Sequence, residues 1–204
     1  RPVAVLNLGG VANLTFVGRP PGGEGDLLAF DCGPGNALLD DWCLEKTGLP
    51  IDEDGRLAAR GSVDEGLVAD FLAHPFFERA APKSLDRNAF SRDAVAGSSI
   101  EDGAATLTAF TAAAVAEGLR AMPERPRTLV VAGGGAHNPT MLAMIAARAG
   151  VAVVTASQVG WSTDFLEAQA FAHLAVRSLE GLPLSFPGTT GVKRPTLGGV
   201  LARA

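Results

Sequence analysis

The chain has 204 residues, of which 47% are hydrophobic and 19% are charged, and its net charge at neutral pH is −5. These values are typical of a folded globular protein and exclude a disordered tail. The charges form no long block of one sign, which argues against a nucleic-acid-binding surface and against a basic patch for membranes.

The two cysteines, Cys32 and Cys43, lack the spacing of a zinc site and cannot form a disulfide framework, so we expect a reducing, cytoplasmic location. No apolar run is long enough for a membrane-spanning helix, and the start does not resemble a signal peptide. The chain opens directly on a strand and has no initiating Met. We therefore expect a piece of a longer protein.

The first elements in chain order are strands. Two β-rich runs, residues 3–8 and 12–17, are joined across Gly9-Gly10, which predicts a hairpin. A third strand is expected over residues 26–33. Residues 36–46 carry apolar side chains at helical steps and stop at Gly48 before Pro50, which predicts a helix. The mixed pattern over about residues 50–95 indicates a helical insertion.

The second half alternates between helices and strands. A helix is expected from Glu101, a buried strand over 129–132, a helix from Pro139, a strand over 151–156 and a last helix from about Thr163. The last helix carries an apolar stripe of Phe165, Ala168, Ala172, Ala175 and Leu179. The predicted fold class is therefore α/β, with a mixed sheet, an antiparallel hairpin at the start, flanking helices and later βαβ units.

Three glycine turns follow predicted strands: "NLGGVAN" (7–13), "DCGPGN" (31–36) and "AGGGAHN" (132–138). Such turns let backbone N–H groups approach an anion, most often a phosphate. Each turn alone has a plainer explanation, because Gly-Gly is common wherever a hairpin needs positive φ. Neither the Walker pattern nor GxGxxG is present, so a P-loop or dinucleotide-binding protein is not indicated.

The order of the motifs is more specific than any one of them. "NLGGVANLTFV", "FDCGPGNALLDDW", "TLTAFTAAAV", "VVAGGGAHNPTM" and "DFLEAQAFAHLAVR" resemble, in the same order and over nearly the whole chain, the anhydro-N-acetylmuramic acid kinases of the actin, Hsp70 and sugar-kinase superfamily. The resemblance implies two ribonuclease-H-like domains around a cleft. Residues 1–204 match the C-terminal domain, and the family's N-terminal GTSxDG loop has no counterpart here.

The family uses ATP to phosphorylate 1,6-anhydro-N-acetylmuramic acid while water opens the anhydro ring, which gives N-acetylmuramic acid 6-phosphate in cell-wall recycling. The resemblance thus implies a kinase with ATP and Mg²⁺ as cofactors, a sugar as substrate and a homodimer as its assembly. Two alternatives remain, namely a non-catalytic nucleotide- or sugar-binding module of the same superfamily and a kinase for another amino sugar. We expect the fragment alone to be inactive.

The resemblance also assigns roles to residues. Asp31 becomes the general base that takes a proton from water, and the alternative is an aspartate that satisfies turn amides. Asn36 is either a helix N-cap or a sugar contact, and Glu167 is either favoured by the helix dipole or turned toward the cleft. The predicted substrate-binding residues are Gly33, Gly35, Asn36 and Glu167. The predicted nucleotide-binding residues are Asn7, Gly9, Gly10, Gly133, Gly134, Gly135 and Asn138.

Two features have no assigned function. The segment "PKSLDRNAF" departs from the family's usual Lys-Ser-Thr-Gly-Arg-Glu at Leu85, Asp86 and Asn88, so its sugar contacts are not predicted. Cys32 has no functional explanation. A protein cage for a metal is not predicted either, because the three histidines lack a second ligand at a suitable spacing. We expect Mg²⁺ to be held mainly by the phosphates of ATP, water and a carboxylate.

Overall fold

The computed structural model describes residues 2–18, 27–163 and 165–202. Its strands are β1 (Val3–Leu8), β2 (Val11–Val17), β3 (Leu27–Pro34), β4 (Thr128–Ala132) and β5 (Ala152–Thr155). Its α-helices are α1 (Ala37–Thr47), α2 (Glu65–Leu72), α3 (Ile100–Arg120), α4 (Pro139–Ala149), α5 (Leu166–Leu179) and α6 (Pro187–Thr190). The strands and long helices lie close to their predicted positions, although the predicted first residue of β3, Asp26, is outside the described residues.

The five strands form one mixed sheet in the order β3-β2-β1-β4-β5. Strands β1 and β2 are antiparallel, because the turn at Gly9-Gly10 is too short for any other connection, and β3 is antiparallel to β2. Strands β4 and β5 run parallel to β1 after helical crossovers. This topology confirms the predicted α/β, ribonuclease-H-like class. Since β1 and β4 are parallel neighbours, the glycines that follow them lie at the same end of the two strands.

Helix α3 forms the centre of the core. Most of its residues are buried, and Leu107 and Phe110 are almost completely inaccessible to solvent. Leu6 and Leu14 alternate with more exposed neighbours along β1 and β2, and they lie in the same buried cluster as α3. A Cβ on Gly118 would come within 2.6 Å of Leu14, so the helix packs tightly against the sheet. This packing fixes the positions of the strand ends.

The insertion between α1 and α3 is less helical than predicted. It contains α2 and three 3₁₀ turns at Glu53–Gly55, Ala58–Arg60 and Arg92–Val95, and its remaining described residues are turns and extended segments. Aromatic packing fastens it to α3, since the ring of Phe71 stacks on that of Phe110 with the centroids 4.5 Å apart. The insertion is therefore anchored to the core and carries residues 83–87 to the edge strand β3.

Helix α5 does not bury the apolar stripe that identified it in the sequence. Stripes of this kind usually face a core. Here all five side chains of the stripe are exposed, with Phe165 at 65% and Leu179 at 64% of their full accessibility. Neither α5 nor any other helix in the described part of the chain is both long and apolar enough to cross a membrane.

Candidate active site

The first two glycine turns are in direct backbone contact. The N–H of Gly35 donates to Gly10 O at 2.9 Å, and the N–H of Asn36 donates to Gly9 O at 2.8 Å. A Cβ on Gly35 would lie 2.1 Å from Gly9 O, a separation that real Cβ atoms do not show. The turn after β3 therefore rests on the β1–β2 turn, and position 35 accepts only glycine.

The third turn meets the other two from the neighbouring strand β4. Gly133 has a φ of +81°, and a Cβ there would lie 2.6 Å from Asn7 Oδ1. A Cβ on Gly135 would lie 3.0 Å from Asn36 Oδ1. The structure thus brings together three predicted nucleotide-binding residues, Asn7, Gly133 and Gly135, with the predicted sugar contact Asn36.

Asn36 links two of the turns and occupies the N-cap position of α1, where its backbone carbonyl accepts the N–H of Asp40 at 2.8 Å. Its side chain does not cap the helix, because Nδ2 donates to Leu8 O at 3.0 Å. A contact between Asn36 and sugar stays a prediction.

A β-bulge explains Cys32. In the pairing of β2 with β3, Ala12 faces Gly33 but Asn13 faces Asp31, so Cys32 is the extra residue of the bulge. The Cys32 side chain points into the core, where its thiol donates to Ala12 O at 3.4 Å. Burial, followed by the charge of Asp31, holds the pKa of this thiol far above its ordinary value. Cys32 is therefore a structural residue.

The bulge places Asp31 on the face of the sheet opposite the core, where its carboxylate is half-buried. Asn13 Nδ2 donates to Asp31 Oδ1 at 2.9 Å, and the N–H of Leu85 donates to Asp31 Oδ2 at 2.7 Å. The N–H of Asp31 itself donates to Lys83 O at 2.9 Å. Among the described residues, no amide of turn 32–36 donates to this carboxylate, whereas the loop amide of Leu85 does. Asp31 therefore has a structural role as the acceptor of a loop amide, and its role as the base stays a prediction.

A row of polar side chains crosses three strands at this point. Asn7 on β1 pairs with Asn13 on β2, which pairs with Asp31 on β3. Cross-strand partners share a face of the sheet, so the row leads from the Gly133 turn to the Asp31 carboxylate. Asn13 is not among the predicted site residues. Its only signal in the sequence is its place at the end of "NLGGVAN", since the bulge that sets its partner is not visible in the pattern.

Packing within the chain already requires the glycines around Asp31. A Cβ on Gly33 would lie 2.5 Å from Ala114 Cβ on α3. The carbonyl of Gly35 accepts a hydrogen bond from Thr111 Oγ1 at 2.9 Å, and both glycines are buried. Their predicted contact with sugar stays a prediction, and the structure gives them a separate reason to be glycine.

The segment at residues 83–87 forms the outer wall beside Asp31. The ammonium of Lys83 points away from the turns, donates to Phe76 O at 2.9 Å and lies 4.2 Å from the centre of the Phe76 ring. Burial, and then the charge of Arg79, lowers the pKa of Lys83. Arg87 pairs with Asp41 at 2.8 Å, and its Nε lies 4.0 Å from the Cβ position of Gly10, so a cation stands beside the first turn.

A cavity of about 310 Å³ opens beside the third turn. Gly134, Gly135 and Asn138 form one side of it, and Asp40 and Asp54 lie on the other. Asn138 is 8% exposed and its Oδ1 accepts the N–H of Met141 at 2.9 Å, so it caps α4. The cavity is acidic. It therefore suits an uncharged group with hydrogen-bond donors and does not suit a phosphate.

Asp40, which lines this cavity, has a raised pKa. Partial burial, and then the neighbouring Asp41, raises the pKa of Asp40 to about 6, while Arg87 opposes the shift. The unfolded chain ionises Asp40 near its ordinary value of about 3.9, so stability is lost as pH rises from about 4 to about 6. An uncharged asparagine avoids this loss.

We therefore expect Asp40→Asn to stabilise the protein more at pH 8 than at pH 5, by about 1 kcal/mol at most, because partial exposure screens the charge. Urea unfolding at the two pH values measures this difference. Asp70→Asn, at an exposed position of α2, is the matched control and should show no pH-dependent gain. Equal gains for Asp40→Asn at both pH values would contradict the assignment.

Glu167 is not brought to the turns by any described contact. It lies in the first turn of α5, where its side chain is exposed and makes no hydrogen bond or ion pair with a described residue. The described residues also contain no group of three or more His, Cys, Asp or Glu side chains able to bind a metal. The binding of Mg²⁺ stays a prediction.

The strand order β3-β2-β1-β4-β5 and the three adjoining glycine turns define an α/β domain of the ribonuclease-H-like class. A family model described as anhydro-N-acetylmuramic acid kinase matches residues 1–204. The chain therefore belongs to the anhydro-N-acetylmuramic acid kinase family.

Curated proteins that are similar to this chain carry the name of the same family. The chain is 56% identical over 201 residues to an anhydro-N-acetylmuramic acid kinase of Methylobacterium nodulans, covering 98% of this chain and 53% of that protein. It is 54% identical over 202 residues to one from Rhizorhabdus wittichii, covering 99% and 54%. The chain spans about half the length of the curated relatives it matches. A solved structure, an activator of 2-hydroxyisocaproyl-CoA dehydratase from Clostridium difficile with bound ADPNP, aligns with a TM-score of 0.47 and 16% identity over 76% of this chain and 54% of that one.

Proposed function

We propose that this chain is the C-terminal domain of an ATP-dependent kinase that opens 1,6-anhydro-N-acetylmuramic acid with water and phosphorylates its O6. The observation that carries the proposal is the meeting of three glycine turns beside one oriented carboxylate, Asp31. Glycine turns of this kind offer backbone N–H groups to phosphate. The Asp31 carboxylate, which directly precedes the second turn on β3, can accept a proton close to that phosphate. Family membership over the whole chain supports the same function.

In the proposed reaction, a water oxygen attacks the anomeric carbon of the sugar and the bond from that carbon to O6 breaks. O6 takes the γ-phosphoryl group of ATP, and ADP leaves. The Asp31 carboxylate accepts the proton that the attacking water loses. The hydrogen bonds from Asn13 and Leu85 use one acceptor position on each oxygen of Asp31, so each oxygen keeps a second lone pair for water.

The nucleotide is proposed to lie across the glycine turns. The acidic cavity beside Gly134 and Gly135 suits adenosine, because ribose hydroxyls and the adenine amino group are donors for carboxylates. The phosphates would extend from there toward Gly9-Gly10 and the Arg87 guanidinium. Mg²⁺ would enter with the phosphates and neutralise charge during transfer.

The proposed partners are ATP, the sugar and the remaining half of the relatives' length, which we place N-terminal to this chain. That half would supply the opposite wall of the cleft, including the phosphate-binding loop. Glu167 is proposed to face the cleft only in this complete protein. A homodimer and a cytoplasmic location complete the proposal, with no role for nucleic acid or membrane.

Two other functions are distinguished by simple observations. A kinase for another amino sugar would transfer phosphate from ATP and release ADP faster with N-acetylglucosamine or N-acetylmuramic acid than with the anhydro sugar. A non-catalytic binding module would bind nucleotide without sugar-dependent turnover. The presence of Asp31 with two donors on its carboxylate favours the catalytic alternative.

The test is sugar-dependent release of ADP. It requires a chain of the relatives' full length, either the natural full-length protein or this chain fused to the N-terminal half of the Methylobacterium nodulans relative. We expect ADP release with ATP, Mg²⁺ and the anhydro sugar, and little release with the other two sugars. ADP release that does not depend on any sugar would contradict the proposal.

The isolated 204-residue chain provides a second expected result. It should not phosphorylate the anhydro sugar, because it forms only one wall of the proposed cleft. Mass spectrometry of an overnight incubation detects product at trace levels. Phosphorylated sugar above the level of an enzyme-free control would refute the two-domain arrangement.

A further inference from the structure

We propose that Asn13 is a positioning residue for the reaction and that it acts through Asp31. This inference rests on the proposed function and concerns a residue that the family motifs did not single out. Asn13 and Asp31 are direct cross-strand partners on β2 and β3, and Asn13 Nδ2 donates to Asp31 Oδ1 at 2.9 Å. Both side chains are half-buried, so the contact lies at the edge of the open face.

The bulge is what makes this contact possible. Continuing the register of Ala12 with Gly33 would place Cys32, not Asp31, opposite Asn13. The extra residue turns Cys32 into the core and sets Asp31 opposite the amide. The thiol hydrogen bond to Ala12 O, at 3.4 Å, and the packing of Cys32 against Gly118 on α3 hold this arrangement. A carboxylate with a fixed rotamer is the arrangement that a base for a bound water requires.

The second donor is a backbone group, the N–H of Leu85, at 2.7 Å from Asp31 Oδ2. The third contact, from the N–H of Asp31 to Lys83 O, is also made by the backbone of this segment. The Leu85 N–H is present whatever side chain residue 85 carries, unless that residue is proline. Within the described part of the chain, Asn13 is therefore the side chain that donates to the Asp31 carboxylate.

The test is a set of variants in the full-length enzyme. Asn13→Leu keeps the branched shape of the side chain and removes the donor, and we expect kcat to fall about 10-fold to 100-fold with KM for ATP and sugar within about threefold. Thr15→Val is the matched control, since Thr15 lies two residues along the same face and pairs with Ala29. It should leave both constants unchanged.

A double-mutant cycle separates positioning from a general structural effect. If Asn13 acts through Asp31, adding Asn13→Leu to Asp31→Asn should change the residual kcat by less than about twofold. A further loss of 10-fold or more in that background would overturn the inference. So would a single Asn13→Leu variant with kcat within twofold of the parent.

Two further measurements keep the test decisive. If Asn13→Leu melts well below the parent, Asn13→Ser, which is shorter and cannot reach the carboxylate at the same distance, replaces it in the same cycle. Leu85→Pro removes the second donor. We expect kcat to fall for Leu85→Pro, and a kcat equal to that of the parent would count against the role of the Leu85 N–H. A parent enzyme that is inactive on the anhydro sugar would refute the proposed function, a result distinct from all of these.

Discussion

Replacing Asp31 with asparagine in the full-length enzyme is expected to reduce kcat by about 10²-fold to 10⁴-fold, the usual contribution of a general base. Asparagine has nearly the same shape and can keep the contact with the Leu85 N–H through its carbonyl oxygen. It cannot accept a proton from water. Affinity for nucleotide should stay within about twofold, because the glycine turns and the cavity beside Gly134 are untouched.

Steady-state ADP release measures kcat, and titration calorimetry with ADP measures affinity. Asp70→Asn, which removes a carboxylate from the exposed side of α2, is the control for loss of charge and should behave like the parent. Near-normal turnover in Asp31→Asn would remove Asp31 as the base. A parallel loss of ADP affinity would assign Asp31 to nucleotide binding instead.

The second large effect concerns stability. Gly35→Ala is expected to destabilise the protein by about 3 kcal/mol or more, because its Cβ would lie 2.1 Å from Gly9 O. The neighbouring backbone cannot move aside easily. It is fixed by the hydrogen bonds from Gly35 and Asn36 to the first turn and by Thr111 Oγ1 on the Gly35 carbonyl. For a chain of this size, the melting temperature should fall by about 10 °C.

Gly97→Ala is the matched control for the same chemical change. Gly97 is exposed and a Cβ there meets nothing within 4 Å, so its melting temperature should not fall. Calorimetric melts of the two variants give the comparison. If Gly35→Ala melts within 2 °C of Gly97→Ala, the two turns are not in the close contact described above.

The fold was largely predictable because its signals are local. The hairpin follows from Gly9-Gly10 between β-rich runs, and α4 follows from Asn138 and Pro139 before an apolar periodicity. The insertion was less predictable. Its order comes from aromatic contacts such as Phe71 with Phe110, which join distant parts of the chain and leave no periodic pattern.

The candidate site was predictable in position but not in geometry. The three glycine motifs predicted where the turns lie in the sequence. Only the structure shows that Gly35 contacts Gly9 and that Cys32 is a bulge residue. The contact from Leu85 to Asp31 spans 54 residues and uses a backbone N–H, so no side-chain motif reports it. Nor does the periodicity of α5 reveal that its apolar stripe lies exposed in this chain.

Mass spectrometry of the sugar product tests the central claim most directly. The full-length enzyme is incubated with ATP, Mg²⁺ and 1,6-anhydro-N-acetylmuramic acid, and the mass of the product is compared with that of the starting sugar. We expect the gain of one water together with one phosphoryl group. A product that gains the phosphoryl group alone, or water alone, would contradict ring opening by water coupled to transfer onto O6.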